Sequence, residues 1–153
     1  ACKDMETPAL TVNGGGMFVS VGPNGDNGLS GKKLVVDAYG PTVPIGGGAW
    51  SGKDLHKVDR LGGLLARQLA KRIVRAGLAG EALVFLEYLP GGDSPAQVLV
   101  RLDGRSESIP FEKLLNGICL DNETVWSNFN ECEIPLDKLA CWGHHYYNLP
   151  WER

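Results

Sequence analysis

Val58, Leu61, Leu65, Leu69 and Ile73 recur at steps of three and four residues, a period sustained nowhere else in the 153-residue chain. Apolar residues at that spacing line one face of a helix, while Arg60, Arg67, Lys71, Arg72 and Arg75 fall on the others. The chain therefore has one long helix, which must bury its stripe against something. Asp54 is placed to cap its start, and Gly77 or Gly80 to end it through a left-handed residue. Short β-branched and apolar runs, Met17 to Val21, Lys33 to Ala38, Ala82 to Leu89 and Gln97 to Leu102, read as strands. The last two are joined by "PGGDSP", which is turn chemistry, and look like neighbours. Phe111 to Ile118 has a short helical pattern, Leu120 to Glu133 is mixed, and Pro135 to Trp142 suits a further short helix with proline in its first turn. One α+β layer domain follows. Its sheet needs cover on its apolar face, from this chain or from a partner.

Composition narrows the class. With 43% hydrophobic and 22% charged residues, the chain can bury a core as a single unit spanning 1–153. A formal charge of -3 argues against a general nucleic-acid binder, and the apolar runs are too short to span a bilayer. Cysteines at 2, 119, 132 and 141 match no zinc-ligand spacing and no CxxC pair, which points to a reduced, cytoplasmic setting.

Chemistry concentrates at the glycines before residue 53. From Gly47 to Lys53 the chain reads glycine, four residues, glycine, lysine, the spacing of a phosphate-cradling loop. Asp54 stands where a P-loop NTPase has a magnesium-binding hydroxyl, and "YGPTVPI" separates the loop from the nearest strand, so an ATPase loop is disfavoured. A glycine loop with Lys53 before a helix still offers amide donors, a dipole and a cation to phosphate. Lys57 lies four residues on, and Lys32 and Lys33 follow a second glycine loop, "GPNGDNGLSGKK". Four lysines beside two loops suit a polyphosphate, with Asp26 and Asp59 as the acidic complement for magnesium or a substrate amine. The plainer alternative leaves Lys32, Lys33 and Lys57 as solvated charges, with Asp59 pairing locally. Phe18 suits a core position, Tyr39 and Trp50 either line a pocket or cover the core, and His56 reads as an exposed polar residue. His144 and His145 are adjacent and point apart on any regular element. The residues alone lead to a phosphate-binding α+β domain that works with magnesium.

Taken together, "VGPNGDNGLSGKKLVVDAYG", "GGGAWSGKDLHKVDR" and "ACWGHHYYNLPWE" resemble the C-terminal part of S-adenosylmethionine synthetase, also called methionine adenosyltransferase. The order and spacing agree over 13–103 and again over 140–152. The family text is close to GPxGDxGLTGRK, then GGGAFSGKDPxKVDRSAAY, then AAYGHFGR with FPWE. The resemblance implies an α+β fold with a mixed sheet, one long helix and short helices on one face, and the sheet face packed on a partner subunit. It implies joining of methionine to the 5' carbon of ATP, with the triphosphate released and split to phosphate and pyrophosphate, assisted by Mg2+ and K+. Carried over by position, Phe18 packs against the substrate and Asp26 contacts methionine. Lys33, Lys53 and Lys57 hold the triphosphate and act in catalysis, Lys32 stands beside them in the substrate site, and Asp59 is a magnesium ligand. Gly46, Gly47, Gly48 and Gly52 form the phosphate loop.

Departures from that text carry expectations too. Lys32 replaces an arginine, and an ammonium cannot reproduce a bidentate grip on phosphate, so triphosphate hydrolysis is the step most exposed. Met17 replaces an arginine and Trp50 a phenylalanine, and the stretch from Arg105 to Lys138 is short. The HPDK-type segment that serves the ribose end of ATP, with a magnesium ligand and the potassium glutamate, has no counterpart in this sequence. The expectation is one side of a shared active site, completed in an oligomer by a second chain. A non-catalytic phosphate-binding or regulatory module, or a fragment of a full-length enzyme, are the alternatives.

Overall fold

The computed structural model describes residues 53–105 without a break, together with 109–110, 117–130, 135, 137–138, 141, 143–153 and, before the helix, 10, 12, 14–17, 19–20, 22, 40, 42–44, 46 and 50. The long helix, α1, runs Val58–Arg75. Of the predicted stripe, Leu61, Leu65, Leu69 and Ile73 are buried and Val58 is half-buried, and Gly62, Leu64 and Gln68, which the period did not include, are buried beside them. Asp54 does not cap it. The cap position is Lys57, which makes no side-chain cap. Asp54 instead closes a turn ahead of the helix, its Oδ1 accepting the His56 N–H at 2.9 Å and its carbonyl accepting the Lys57 N–H at 3.3 Å. An aspartate that can bond its own backbone two residues on favours that turn over the helix. The other end follows expectation. Gly77 takes φ +71°, its N–H reaches the Val74 carbonyl at 3.0 Å, and the Leu78 N–H reaches that of Ile73 at 3.2 Å. That pair of bonds satisfies carbonyls the helix would otherwise leave open.

Strands β1, Ala82–Glu87, and β2, Gln97–Leu102, pair antiparallel with Val84 opposite Val100, and β3, Ile109–Pro110, adds to the outer edge of β2. Among the described residues the sheet is antiparallel in order β1-β2-β3, not mixed. Tight connections force this, since a parallel neighbour needs a long crossover. Between β2 and β3, Asp103 and Gly104 both take positive φ and the Arg105 N–H closes on the Leu102 carbonyl at 3.0 Å. Oδ1 of Asp103 also accepts the Gly80 and Glu81 N–H groups at 2.9 and 3.0 Å, tying this turn to the start of β1.

Val98, Val100 and Leu102 alternate into the core, and their partners Leu86, Val84 and Ala82 follow them. The opposite face carries Leu83, Phe85 and Leu99, half-buried, with the Arg101 guanidinium 5.0 Å from the Phe85 ring centroid. Helix α2, Asn122–Asn130, lies in the stretch whose pattern is mixed in sequence. Asp121 caps it, its Oδ1 accepting the Thr124 N–H at 2.9 Å, and Val125 and Phe129 one turn apart enter the core. A four-residue helix, α3, Gly143–Tyr146, precedes a closing turn of 3-10 helix, Pro150–Glu152.

The closing turn is bolted to α1. Trp151 is buried and meets Phe129 edge-on at 5.4 Å, and Gln68 Nε2 donates to the Pro150 carbonyl at 3.0 Å. Glu152, 4% exposed, accepts from Arg67 Nε and Nη2 and from Lys71 Nζ. Burial raises its carboxyl's pKa, but the hydrogen bonds and charges of Arg67 and Lys71 outweigh that and hold it below its ordinary value.

Other expected elements fare unevenly. Asp137 and Lys138 are helical, and the Lys138 N–H bonds the Pro135 carbonyl at 3.1 Å, as the proline-led helix predicts. Residues 111–116 of the expected Phe111 helix lie outside the described residues, and Gly117 and Ile118 are not helical. Lys33 to Ala38 lies outside them as well. Met17, Val19 and Ser20 are not in a strand, and Met17 and Val19 are 85% and 94% exposed.

Candidate functional site

The site is built where the glycine loop runs into α1. Trp50 begins a turn, its carbonyl accepting the Lys53 N–H at 3.1 Å. The Lys53 carbonyl in turn accepts Arg60 Nη1 at 2.7 Å. Its backbone is therefore held at both ends. The Lys53 ammonium bonds Asp59 Oδ2 at 2.6 Å, with side chains 31% and 45% exposed. Two of the residues singled out in sequence thus meet. Lys57, a third, is exposed at the cap position of α1, within one turn of Asp59. Gly46 is exposed ahead of the turn. Phe18, Asp26, Lys32, Lys33, Gly47, Gly48 and Gly52 lie outside the described residues.

An exposed ion pair is worth about 0–1 kcal/mol, since water screens it and holding two long side chains costs entropy. Opening the Lys53–Asp59 pair is accordingly cheap. A phosphate can take the ammonium and leave the carboxylate to a hard cation, at little cost to the fold.

A cleft of about 610 Å³ lies beside the pair, between α1 and β1, bordered by Trp50, Asp59, Gly62, Gly63, Lys71 and Tyr88 among others. Glycines 62 and 63 lie close under two aromatic rings there, Gly63 the more tightly. A Cβ on Gly62 would fall 2.9 Å from Tyr88 Cε2, and one on Gly63 2.0 Å from Trp50 Cζ2. The Tyr88 hydroxyl is buried with no partner among the described residues, and burial pushes its pKa up to about 12. It stays a neutral donor and acceptor at physiological pH.

Arg60 is the residue that sequence reasoning placed only on a polar helix face. Its Nε is buried with no partner among the described residues, and desolvation lowers its pKa while Asp54 opposes that. Seven residues separate it from Lys53, a reach that depends on the turn at Asp54. His56, read as exposed and polar, is exposed, and also stacks on Trp126 with centroids 4.3 Å apart, which ties α2 to the approach of α1. Among the described residues, no three His, Cys, Asp or Glu side chains cluster as a metal site, no helix is long and apolar enough to cross a membrane, and Cys119 and Cys141 are free and exposed.

The family described as "S-adenosylmethionine synthetase, C-terminal domain" matches residues 20–153, so the match takes in the loop, the lysine–aspartate pair and the bolted C-terminus together. The chain belongs to this family. An S-adenosylmethionine synthase of Thermus thermophilus is 50% identical over 112 residues, covering 73% of this chain and 28% of that protein. That of Prochlorococcus marinus subsp. pastoris is 41% identical over 155 residues, covering 93% and 38%. Among solved structures, "an Unusual S-adenosylmethionine synthetase from Campylobacter jejuni" superposes with a TM-score of 0.63 at 35% identity, covering 80% of this chain and 34% of that one. The chain thus spans well under half the length of the curated relatives it matches.

Proposed function

We propose that this chain supplies the triphosphate- and methionine-binding side of a methionine adenosyltransferase site, forming S-adenosylmethionine from ATP and methionine and releasing phosphate and pyrophosphate. A second protein chain in a hetero-oligomer supplies the remaining groups. The observation that carries the reading is the Lys53–Asp59 pair, set on a fixed backbone at the start of α1 and open to solvent.

In this reading Lys53 and Lys57 bind the triphosphate, with Lys32 and Lys33 approaching from the second glycine loop. Preorganised cations stabilise the negative charge that develops on the leaving triphosphate as the carbon–oxygen bond breaks. Phe18 packs against the substrate and Asp26 receives the methionine amine. Asp59 fits magnesium: it is a half-exposed carboxylate, and Mg2+ is usually held by one or two carboxylates together with substrate phosphates. Magnesium there neutralises phosphate charge. No residue of this chain is assigned to K+. The half-buried Leu83, Phe85 and Leu99 on the sheet face away from α1 support burial of that face against the partner subunit.

The test joins two measurements. The full chain binds inorganic tripolyphosphate in Mg2+, and Lys53→Ala and Asp59→Asn each weaken that binding about tenfold or more, the scale of one charge-assisted contact. Mixed with a chain bearing the HPDK-type segment, in ATP, methionine, Mg2+ and K+, it yields S-adenosylmethionine. Tripolyphosphate binding without turnover in that mixture would leave the non-catalytic binding module as the function. Absence of both would end the phosphate reading.

A further inference from the structure

A loop side chain, Trp50, is seated against a glycine in the interior of α1, Gly63. A Cβ at position 63 would lie 2.0 Å from Trp50 Cζ2, 2.6 Å from Cε2 and 2.9 Å from Nε1, closer than real side chains approach. The indole thus occupies the space that an alanine methyl would fill. Glycine in a helix interior weakens the helix, so its presence within α1 calls for such a packing reason.

What this contact controls is Lys53. The backbone carbonyl of Trp50 accepts the Lys53 N–H, so the residue whose ring is seated on Gly63 is also the residue that closes the turn ending in the lysine. Arg60, on the same helix, holds the Lys53 carbonyl from the other side at 2.7 Å. We propose that Trp50 and Gly63 form a size-matched positioning pair that seats the glycine-loop turn on α1 and so fixes the backbone from which the Lys53 ammonium reaches. The role assigned to that ammonium rests on the phosphate reading above; the pair itself does not.

Amide hydrogen exchange of the full chain at Lys53, in four versions, tests it: the parent, Gly63→Ala, Trp50→Phe, and both together. Gly63→Ala pushes the indole off the helix and opens the turn, so the Lys53 amide exchanges about fivefold faster or more, the ratio expected for one lost hydrogen bond. Trp50→Phe, which leaves α1 unaltered, loosens the same amide through a gap in place of a clash. The double variant seats a smaller ring on a larger helix residue and returns Lys53 exchange toward the parent rate. A merely structural loss of helix would instead speed exchange along α1 and would not be rescued by the second change. Unchanged Lys53 exchange in both single variants, or a double variant no slower than Gly63→Ala, would overturn the proposal. Tripolyphosphate affinity measured on the same four proteins follows the same order. If the parent binds no tripolyphosphate, the phosphate reading falls, and the exchange rates still decide the pair.

Discussion

Glu152→Gln removes one negative charge while keeping nearly the same shape, and it isolates what the C-terminal bolt contributes. The carboxylate is 4% exposed and accepts from Arg67 twice and from Lys71 once. Removing one partner of a fully buried pair costs about 3–5 kcal/mol, mostly because the opposite charge is left without compensation. Arg67 and Lys71 are 25% and 31% exposed, so both rehydrate in part, which lowers the expected loss to about 2 kcal/mol. For a chain of this size that is roughly a 4–8 °C fall in Tm. Acid supplies the sign. Because the folded-state pKa of Glu152 lies below its ordinary value of 4.5, its stabilisation is complete above that value and is lost as pH falls through the lower folded-state one. The gap between parent and variant, followed by circular dichroism, is therefore full at pH 7 and narrows as pH falls below 4.5 and through the lower folded-state value. A variant melting within a degree of the parent at pH 7, or a gap that persists undiminished in acid, would refute the argument.

Two further substitutions probe the rest of the frame. Phe129→Ala deletes a ring that is 1% exposed and edge-on to Trp151, and should cost about 3–5 kcal/mol in urea unfolding at equilibrium. Gly77→Ala meets no atom within 4 Å but must hold φ +71°, so it should cost about 1–2 kcal/mol by the same assay through backbone strain alone.

What was legible in sequence is what repeats. The period from Val58 to Ile73 and the alternation through Gln97 to Leu102 each place many residues on one face, so tertiary context could not override them. β1 stops at Glu87, two residues before the apolar run ends, because pairing runs out where its partner begins at Gln97. α2 was hidden because only Val125 and Phe129 enter the core in nine residues, although Asp121 three residues before Thr124 is a readable cap. Asp54 misled for a local reason: an aspartate serves a cap or a turn equally well, and sequence does not choose. In the site, lysines and the aspartate were visible as charges beside glycines. Arg60 and Gly63 were not, because a guanidinium that bonds a carbonyl seven residues back and a glycine that admits an indole leave no periodic trace.

The arrangement around Lys53 divides its constraints by strength. Its backbone N–H and carbonyl are held by Trp50 and Arg60, contacts that belong to the fold and persist whatever the side chain does. Its ammonium is held by Asp59, an exposed pair worth little. The backbone from which the lysine side chain leaves is therefore set in advance, while the partner of its ammonium is exchangeable. On the phosphate reading proposed above, a backbone already in place leaves less reorganisation to do as charge develops on a departing triphosphate. A surface ion pair serving stability alone would not need the doubly held backbone. On that phosphate reading, Asp59 is the exchangeable partner: its ion pair with Lys53 is open to solvent, and a more highly charged ligand displaces it at little cost.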